Sequence, residues 1–344
     1  MARRLLWASL GLAPITMIVD SAADVGDVTL FVLAAASLVP LAWLIGEATE
    51  HAAQHTGPGI GGFLNATFGN APELIISLFA VSDGLYEVVR GSLSGSVVGN
   101  LLLVLGFSLL VGPTKPIDRR SGMTSLALVL VAVLLFLIPA VPSWHGDHER
   151  HSLQVLSIPV AIALLLVYVL VTRRELMRHR AAHVAAAHAD AWSLRIALAV
   201  LAVATAATAV VAEILVHTIE TFADRARLSD FFVAAVIVAI VGNAAEHGGA
   251  VVVARRGRVK LATEIALSSS AQVAVFLVPA VAILAWAIKP LALSFRQVEI
   301  AVMAGSALLA AFLLAGGKSS SWRGAALVGG YVGAAIAFYF AGNR

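Results

Sequence analysis

Two short motifs of one type stand out in an otherwise apolar sequence. Residues 69–73 read GNAPE and residues 242–246 read GNAAE, so each motif ends in a glutamate, Glu73 or Glu246. Both glutamates lie in long apolar runs with no lysine or arginine within a few helical turns. An ion pair along the same helix is therefore not available to either carboxylate.

The cost of burying these carboxylates limits what they can do. An ionised side chain at the centre of a membrane helix costs about 2.5 to 3.5 kcal/mol on the most lenient scale. Two such groups would cost on the order of 5 to 7 kcal/mol, which is comparable with the whole stability of a typical protein. We therefore expect Glu73 and Glu246 to bind protons or a metal ion. Carboxylate oxygens suit Ca²⁺ better than soft transition metals, and the chain has no cysteine.

Neighbouring residues offer further oxygen ligands. Gly69 and Gly242 stand one turn before the glutamates, and a helix break there would free main-chain carbonyls for a cation. The side chains expected to add neutral oxygens are Asn70, Asn243, Ser96, Asn100, Ser269 and Gln272. Glu47, Glu213 and His247 are candidates for gating or the proton path. Close helix packing is the alternative role for any single glycine or serine.

The composition indicates an integral membrane protein. Of 344 residues, 60% are hydrophobic and 12% are charged, which excludes a water-soluble domain and a disordered chain. The net charge of +3 is too small to indicate nucleic-acid binding. A membrane helix needs about 20 mostly apolar residues, and eleven such runs occur, at 5–19, 28–48, 63–81, 92–111, 123–141, 153–171, 194–217, 231–254, 261–286, 298–314 and 322–340. A cleaved signal peptide is the alternative for the first run.

The second motif repeats the first in the opposite orientation. The two motifs are 173 residues apart, and the same offset relates residues 95–97 to residues 268–270. The motifs fall on the third and eighth predicted spans, which cross the bilayer in opposite directions. We predict an all-α integral membrane protein with about eleven transmembrane helices, arranged as two inverted five-helix repeats. The predicted boundaries are an extra N-terminal helix over 1–27, a first repeat over 28–172, a linker over 173–192 and a second repeat over 193–344.

Basic residues sort between the two faces of this arrangement. Sixteen of the 23 lysines and arginines fall on the face that holds the N-terminus and the linker, so both are predicted to be cytoplasmic. The linker is basic and contains His179, His183 and His188. A solvated cytoplasmic connection is its simplest interpretation, with metal sensing or anionic-lipid binding as alternatives. The short termini favour a prokaryotic plasma (inner) membrane.

Taken together, the motifs resemble the calcium/proton antiporter (cation exchanger) family of the calcium/cation antiporter superfamily. The matching stretches are LIGEATEHAA at 44–53, GGFLNATFGNAPELIISLFA at 61–80, GNLLLVLG at 99–106, IVGNAAEH at 240–247 and SSSAQVAVFLVP at 268–279. The resemblance implies that Glu73 and Glu246 are paired ion-binding glutamates and that the carbonyls of Gly69 and Gly242 complete the site. The sequence departs from the family pattern at Gly99 and Ser268. It also departs in the linker, which is basic here, whereas members of the family often carry an acidic segment.

The resemblance also implies export of cytosolic Ca²⁺ driven by inward proton movement through alternating access. A sodium/calcium or broader cation/proton exchanger is the nearest alternative, and a cation channel is a second one. An intramembrane metalloprotease is weaker, because the sequence has no HExxH motif. We expect no enzymatic activity and no cofactor. The expected partners are Ca²⁺, H⁺ and the lipid bilayer, with the oligomeric state, a homo-oligomer included, left open.

Overall fold

The computed structural model describes residues 2–22, 25–179 and 192–342. This part of the chain is helical and contains no strand; one isolated antiparallel bridge joins Pro116 and Lys318. The helices are α1 Ala2–Ser9, α2 Leu12–Ala22, α3 Asp27–Phe68, α4 Ala71–Asp83, α5 Tyr86–Val98, α6 Leu105–Val111, α7 Arg119–Ser143, α8 His151–His179, α9 Leu194–Ala226, α10 Asp230–Phe232, α11 Ala239–Gly242, α12 Ala244–Arg255, α13 Val259–Gln272, α14 Val278–Ala285, α15 Gln297–Leu314 and α16 Ser321–Gly342. Three π-helical segments join some of them, at Gly99–Val104, Val233–Val238 and Val273–Leu277.

The all-helical membrane fold is confirmed, but the count of eleven spans is not. Among the described residues, nine helices are long and apolar enough to cross a bilayer, and a pair bent by 57° over residues 230–255 makes ten if it is one span. The expected span at 63–81 is divided between the end of α3, a helix of 42 residues, and α4, a helix of 13 residues. Gly69 and Asn70 separate the two helices. Pro72 then falls in the first turn of α4, where its missing N–H costs no hydrogen bond.

The predicted linker lies mostly outside the described residues. Helix α8 continues as far as His179, so the first part of the linker is helical. His183 and His188 lie among the residues that the structure does not describe. The predicted boundaries of the repeats stay a prediction.

Contacts divide the chain into two compact units. The first comprises residues 1–79, 166–226 and 241–245, and the second comprises residues 80–165, 227–240 and 246–344. Each unit therefore combines segments from both halves of the sequence. The chain leaves the first unit for the second within the GNAAE motif, between residues 245 and 246.

In the first unit, α3 packs lengthwise against α9. The rings of Phe31 and Phe222 stack with their centroids 4.0 Å apart, and the Thr221 hydroxyl donates a hydrogen bond to Asp27 at 2.9 Å. Helix α2 joins α3 through a buried hydrogen bond of 2.8 Å between the hydroxyls of Thr16 and Ser37. These contacts make α3 and α9 a paired support for the segment that follows α3.

In the second unit, glycines let two helical segments meet backbone to backbone. A Cβ atom added at Gly95 would lie 2.0 Å from the carbonyl oxygen of Ala235, and one at Gly91 would lie 2.9 Å from that of Phe231. Small residues permit this close approach between membrane helices. The π-helical segments that follow α5 and α13 begin at Gly99 and Val273, positions that agree with the repeat offset to within one residue.

This close approach gives a stability prediction. Gly95→Ala should lower the free energy of unfolding by about 3 kcal/mol, because the added methyl group overlaps the Ala235 carbonyl and forces the helices apart. Thermal unfolding of the detergent-solubilised protein measures the effect. The matched control is Gly305→Ala in α15, where a Cβ meets no atom within 4 Å; it should be neutral or slightly stabilising. Equal melting temperatures for the two variants would contradict the contact.

Candidate functional site: the two GNxxE motifs

The first motif places its glutamate at the start of a helix. Helix α3 ends at Phe68, Gly69 donates its N–H to the Asn65 carbonyl at 2.8 Å, and α4 begins at Ala71. Glu73 is therefore the third residue of α4, and it is 6% exposed. The N-terminal end of a helix dipole favours a negative charge at this position.

The second motif repeats this local arrangement. Helix α11 ends at Gly242, Asn243 forms the turn, and α12 begins at Ala244, so Glu246 is again the third residue of its helix. Asn70 and Asn243, which occupy the same place in the two breaks, are both buried. In both motifs the break exposes helix ends inside an apolar protein, and it puts one carboxylate at each new N-terminus.

Within the first unit, the second motif touches the glutamate of the first. A Cβ atom added at Gly242 would lie 3.3 Å from Cγ of Glu73 and 3.5 Å from its Cδ and Oε1. The backbone of Gly242 therefore packs directly against the Glu73 carboxyl group. Any side chain at position 242 would crowd that carboxyl group, which gives a reason for glycine here.

Within the second unit, a chain of hydrogen bonds ends on the other glutamate. The Ser269 hydroxyl donates to Oε2 of Glu246, and the Asn100 amide donates to the Ser269 hydroxyl at 3.3 Å. Asn100 and Ser269 are buried. Ser270 fixes α13 against α5 by donating to the Val97 carbonyl at 3.0 Å. Two of the predicted auxiliary residues are thus connected to Glu246.

The remaining predicted residues differ in burial. Ser96 is buried on α5 and Gln272 is half-buried on α13. Glu47 is 20% exposed and faces His51, with 3.9 Å between Oε1 and Nε2. Glu213 is exposed on α9, and His247 is half-buried beside Glu246. No group of three or more histidine, aspartate or glutamate side chains that could hold a metal occurs among the described residues.

Comparison with known proteins assigns the chain to a family. The family model described as sodium/calcium exchanger protein matches residues 27–174 and 196–340, which is most of the chain. The chain belongs to this family.

Individual members of the sodium/calcium exchanger family cover nearly all of the sequence. The Ca²⁺/H⁺ antiporter ChaA of Bacillus subtilis is 38% identical over 324 residues, which is 90% of this chain and 92% of that protein. The Ca²⁺/H⁺ antiporter of Aphanothece halophytica is 33% identical over 340 residues, with 91% of each chain covered. The crystal structure of a selenium-substituted Ca²⁺/H⁺ antiporter, YfkE, superposes with a TM-score of 0.81 at 34% identity, covering 98% of this chain and 99% of that one.

Sequence reasoning missed a buried charged network beside the site helix α5. Arg90 lies outside the predicted span at 92–111, but α5 begins at Tyr86 and the arginine is 4% exposed. It pairs with Glu149 and donates to the Ser294 hydroxyl at 3.1 Å. Glu299, which is 1% exposed, accepts hydrogen bonds from the Ser94 hydroxyl at 3.0 Å and from the backbone N–H of Arg296 at 2.8 Å. No local pattern marked Arg90, because its partners lie 59 and 204 residues away in the sequence.

The burial of Arg90 predicts a large cost for removing its partner. Glu149→Ala should lower the free energy of unfolding by about 3 kcal/mol, because it leaves a buried guanidinium without its carboxylate. Glu87→Ala is the matched control, since the Glu87 side chain is 53% exposed in its pair with Arg296; it should cost less than about 1 kcal/mol. Thermal unfolding of both variants compares them. Similar costs would show that Arg90 does not depend on Glu149.

Proposed function

We propose that this protein is a secondary antiporter that exports cytosolic Ca²⁺ in exchange for H⁺ by alternating access, with Glu73 and Glu246 as the ion-binding residues. The contact of Gly242 with the Glu73 carboxyl group carries the proposal, because it links the second motif to the glutamate of the first within one compact unit. Relatives named Ca²⁺/H⁺ antiporter, which match about nine tenths of the chain, support the choice of ions.

The donor set suits a hard divalent cation. Two carboxylates supply the charge, and the carbonyls of Gly69 and Gly242 are the proposed main-chain ligands at the helix breaks. The proposed neutral side-chain ligands are Asn70, Asn243, Ser96, Asn100, Ser269 and Gln272. Oxygen donors of these kinds, in a flexible arrangement, are those that Ca²⁺ uses in proteins.

Exchange follows from competition for the same carboxylates. A site with two uncompensated charges is costly inside an apolar protein, so the protein changes its facing state with Ca²⁺ bound or with protons bound. Ca²⁺ binding requires deprotonated ligands and releases protons. An inward proton gradient therefore drives Ca²⁺ outward, and Glu47, Glu213 and His247 are the proposed residues of the gate and the proton path.

The orientation and the two-repeat organisation belong to the same proposal. The excess of basic residues on one face supports a cytoplasmic N-terminus and linker in a prokaryotic plasma membrane. The two separate stretches matched by the family model, 27–174 and 196–340, support a division into two related halves. The nine or ten apolar helices of the described residues support a multi-pass membrane protein.

Neutralising either glutamate tests the assignment. In inside-out vesicles that carry an imposed pH gradient, added Ca²⁺ should dissipate the gradient with the unaltered protein. Glu73→Gln and Glu246→Gln should each abolish this exchange, because one carboxylate can neither balance a divalent cation nor trade two protons for it.

The matched control is Glu220→Gln, which makes the same chemical change at an exposed position of α9. It should keep the exchange of the unaltered protein. Ca²⁺-dependent dissipation that survives either Gln variant at Glu73 or Glu246 would refute the proposed site.

Competition also fixes the sign of the pH dependence. Acidification should weaken equilibrium Ca²⁺ binding, by up to about 100-fold per pH unit where two protons are displaced, because each displaced proton contributes a factor of ten. Isothermal titration of the purified protein at several pH values measures this slope. An affinity that does not change with pH would rule out a shared site.

The family description favours one further candidate, since it names sodium as well as calcium. A sodium/calcium exchanger would move Ca²⁺ in response to a sodium gradient without a pH gradient. A sodium jump applied to the same vesicles separates the two functions. Ca²⁺ flux that follows sodium and ignores pH would replace protons by sodium as the counter-ion.

A further inference from the structure

A tryptophan next to the linker is held by two histidines of α3. Trp192 stands two residues before α9. Its N–H donates to Nδ1 of His51 at 3.4 Å, and its carbonyl oxygen lies 2.7 Å from Nε2 of His55. The rings of Trp192 and His51 stack with centroids 4.5 Å apart and 23° between their planes. We call Trp192, His51 and His55 the clasp.

The clasp touches the support of the first motif. Trp192 packs against an apolar cluster that includes Ile45 of α3, Ala71 of α4 and Leu201 of α9, with Ile75 of α4 on the same cluster. Ala71 and Ile75 flank Glu73, and all these residues belong to the first unit. Displacement of Trp192 would therefore remove packing from the cluster to which Ala71, two residues before Glu73, belongs.

Protonation has different effects on the hydrogen bonds that the two histidines make with Trp192. His51 accepts a hydrogen bond at Nδ1, so this nitrogen is unprotonated and the ring hydrogen is on Nε2, which faces Glu47. His55 contacts a carbonyl oxygen, so it donates from Nε2 whether the ring is neutral or charged. Proton uptake by His51 turns its acceptor into a second donor that faces the Trp192 N–H. It also strengthens the attraction of the ring to Glu47.

Other charged groups on the same elements complete the setting. Among the described side chains, those within about one helical turn of the clasp residues are Glu47, Glu50 and His55 on α3 and Arg195 at the start of α9, and α4 contributes Glu73. Glu50 and Arg195 are exposed, so solvent screens their charges. Glu47 is four residues from His51 and is the carboxylate that meets its ring. A charged His51 can still stack on an indole, but stacking does not replace the lost acceptor.

We propose that Trp192 is a positioning residue for the segment that carries Glu73, and that His51 releases it when the cytosol acidifies. The inference rests on the proposed antiport and its orientation, which place His51 and His55, beyond the predicted span at 28–48, and the linker on the cytosolic side. While His51 is neutral, Trp192 completes the packing under α4. When His51 is charged, the packing loosens and Ca²⁺ export slows, in addition to the direct competition of protons at the glutamates. The contact of His55 with the Trp192 carbonyl is kept in both states, because Nε2 can donate to it whether the ring is neutral or charged.

Fluorescence tests the clasp independently of transport. The chain has no cysteine, so Gln54→Cys at an exposed position beside His55 accepts a single bimane label, which tryptophan quenches on contact. We expect quenching in the purified full-length protein at pH of about 8 and its relief at about pH 6, because a proton added at Nδ1 of His51 removes the acceptor for the Trp192 N–H. With His51→Asn, which keeps an acceptor near the place of Nδ1 but does not titrate, quenching should persist in acid.

Trp192→Phe with the same label is the control that separates Trp192 from Trp7 and Trp43, whose rings lie in the same group of aromatic side chains. It should abolish the response to pH. An unchanged fluorescence across the pH range with the native clasp, or the same response with His51→Asn, would overturn the inference.

Transport then links the clasp to exchange. In inside-out vesicles whose outer medium is acidified, His51→Asn should retain about fivefold more exchange than the unaltered protein, a factor that corresponds to one hydrogen bond of average strength. His148→Asn, the same change at an exposed position between α7 and α8, should follow the unaltered pH profile. If the two Asn variants behave alike, the inference fails and the antiport proposal stands. If no variant exchanges Ca²⁺, the antiport proposal fails, and the fluorescence alone decides whether the clasp opens.

Discussion

The cost of holding carboxylates inside an apolar helical protein determines the local structure of both motifs. An ionised glutamate at a membrane helix centre costs about 2.5 to 3.5 kcal/mol, and a partly buried helix N-terminus returns at most about 2 kcal/mol of this. Glu73 and Glu246 each stand third in a helix that starts at such a break. The helix dipole therefore offsets only part of the cost of the ionised carboxylate. A bound proton or cation would offset the rest. A continuous helix through GNAPE or GNAAE would give neither the positive helix end nor the free carbonyls.

The break at each motif could be predicted because its cause is local. Gly69 with Pro72 and Gly242 with Asn243 weaken a helix wherever they occur. The extent of α3 could not be predicted in the same way. Polar residues after position 48 suggested the end of a span, yet the helix continues to Phe68, because a helix is held by its own backbone hydrogen bonds and does not need the membrane hydropathy that set the predicted boundary.

Contacts between residues far apart in the sequence set the second limit on what could be predicted. The partner of Arg90 is 59 residues away and its second contact, Ser294, is 204 residues away, so no local pattern distinguished this buried arginine from a loop residue. Asn100 and Ser269 are 169 residues apart. Both are candidates in the sequence because they carry neutral oxygen atoms in the segments that follow the two motifs, but nothing in the sequence indicated that one would donate to the other. The sequence therefore indicated candidate residues but not the hydrogen bonds between them.

The connection of Asn100 to Ser269 explains why a hydroxyl group is useful next to Glu246. A serine hydroxyl has one hydrogen to donate and two lone pairs to accept with. With the carboxylate ionised, Ser269 donates to Oε2 and accepts from the Asn100 amide, as the structure has it. With Glu246 protonated, the same oxygen can accept from the carboxylic acid while the Asn100 amide still holds it in place. An alanine at position 269 could neither donate to the carboxylate nor accept from the carboxylic acid, whereas an exchange of a metal ion for protons would pass through both states.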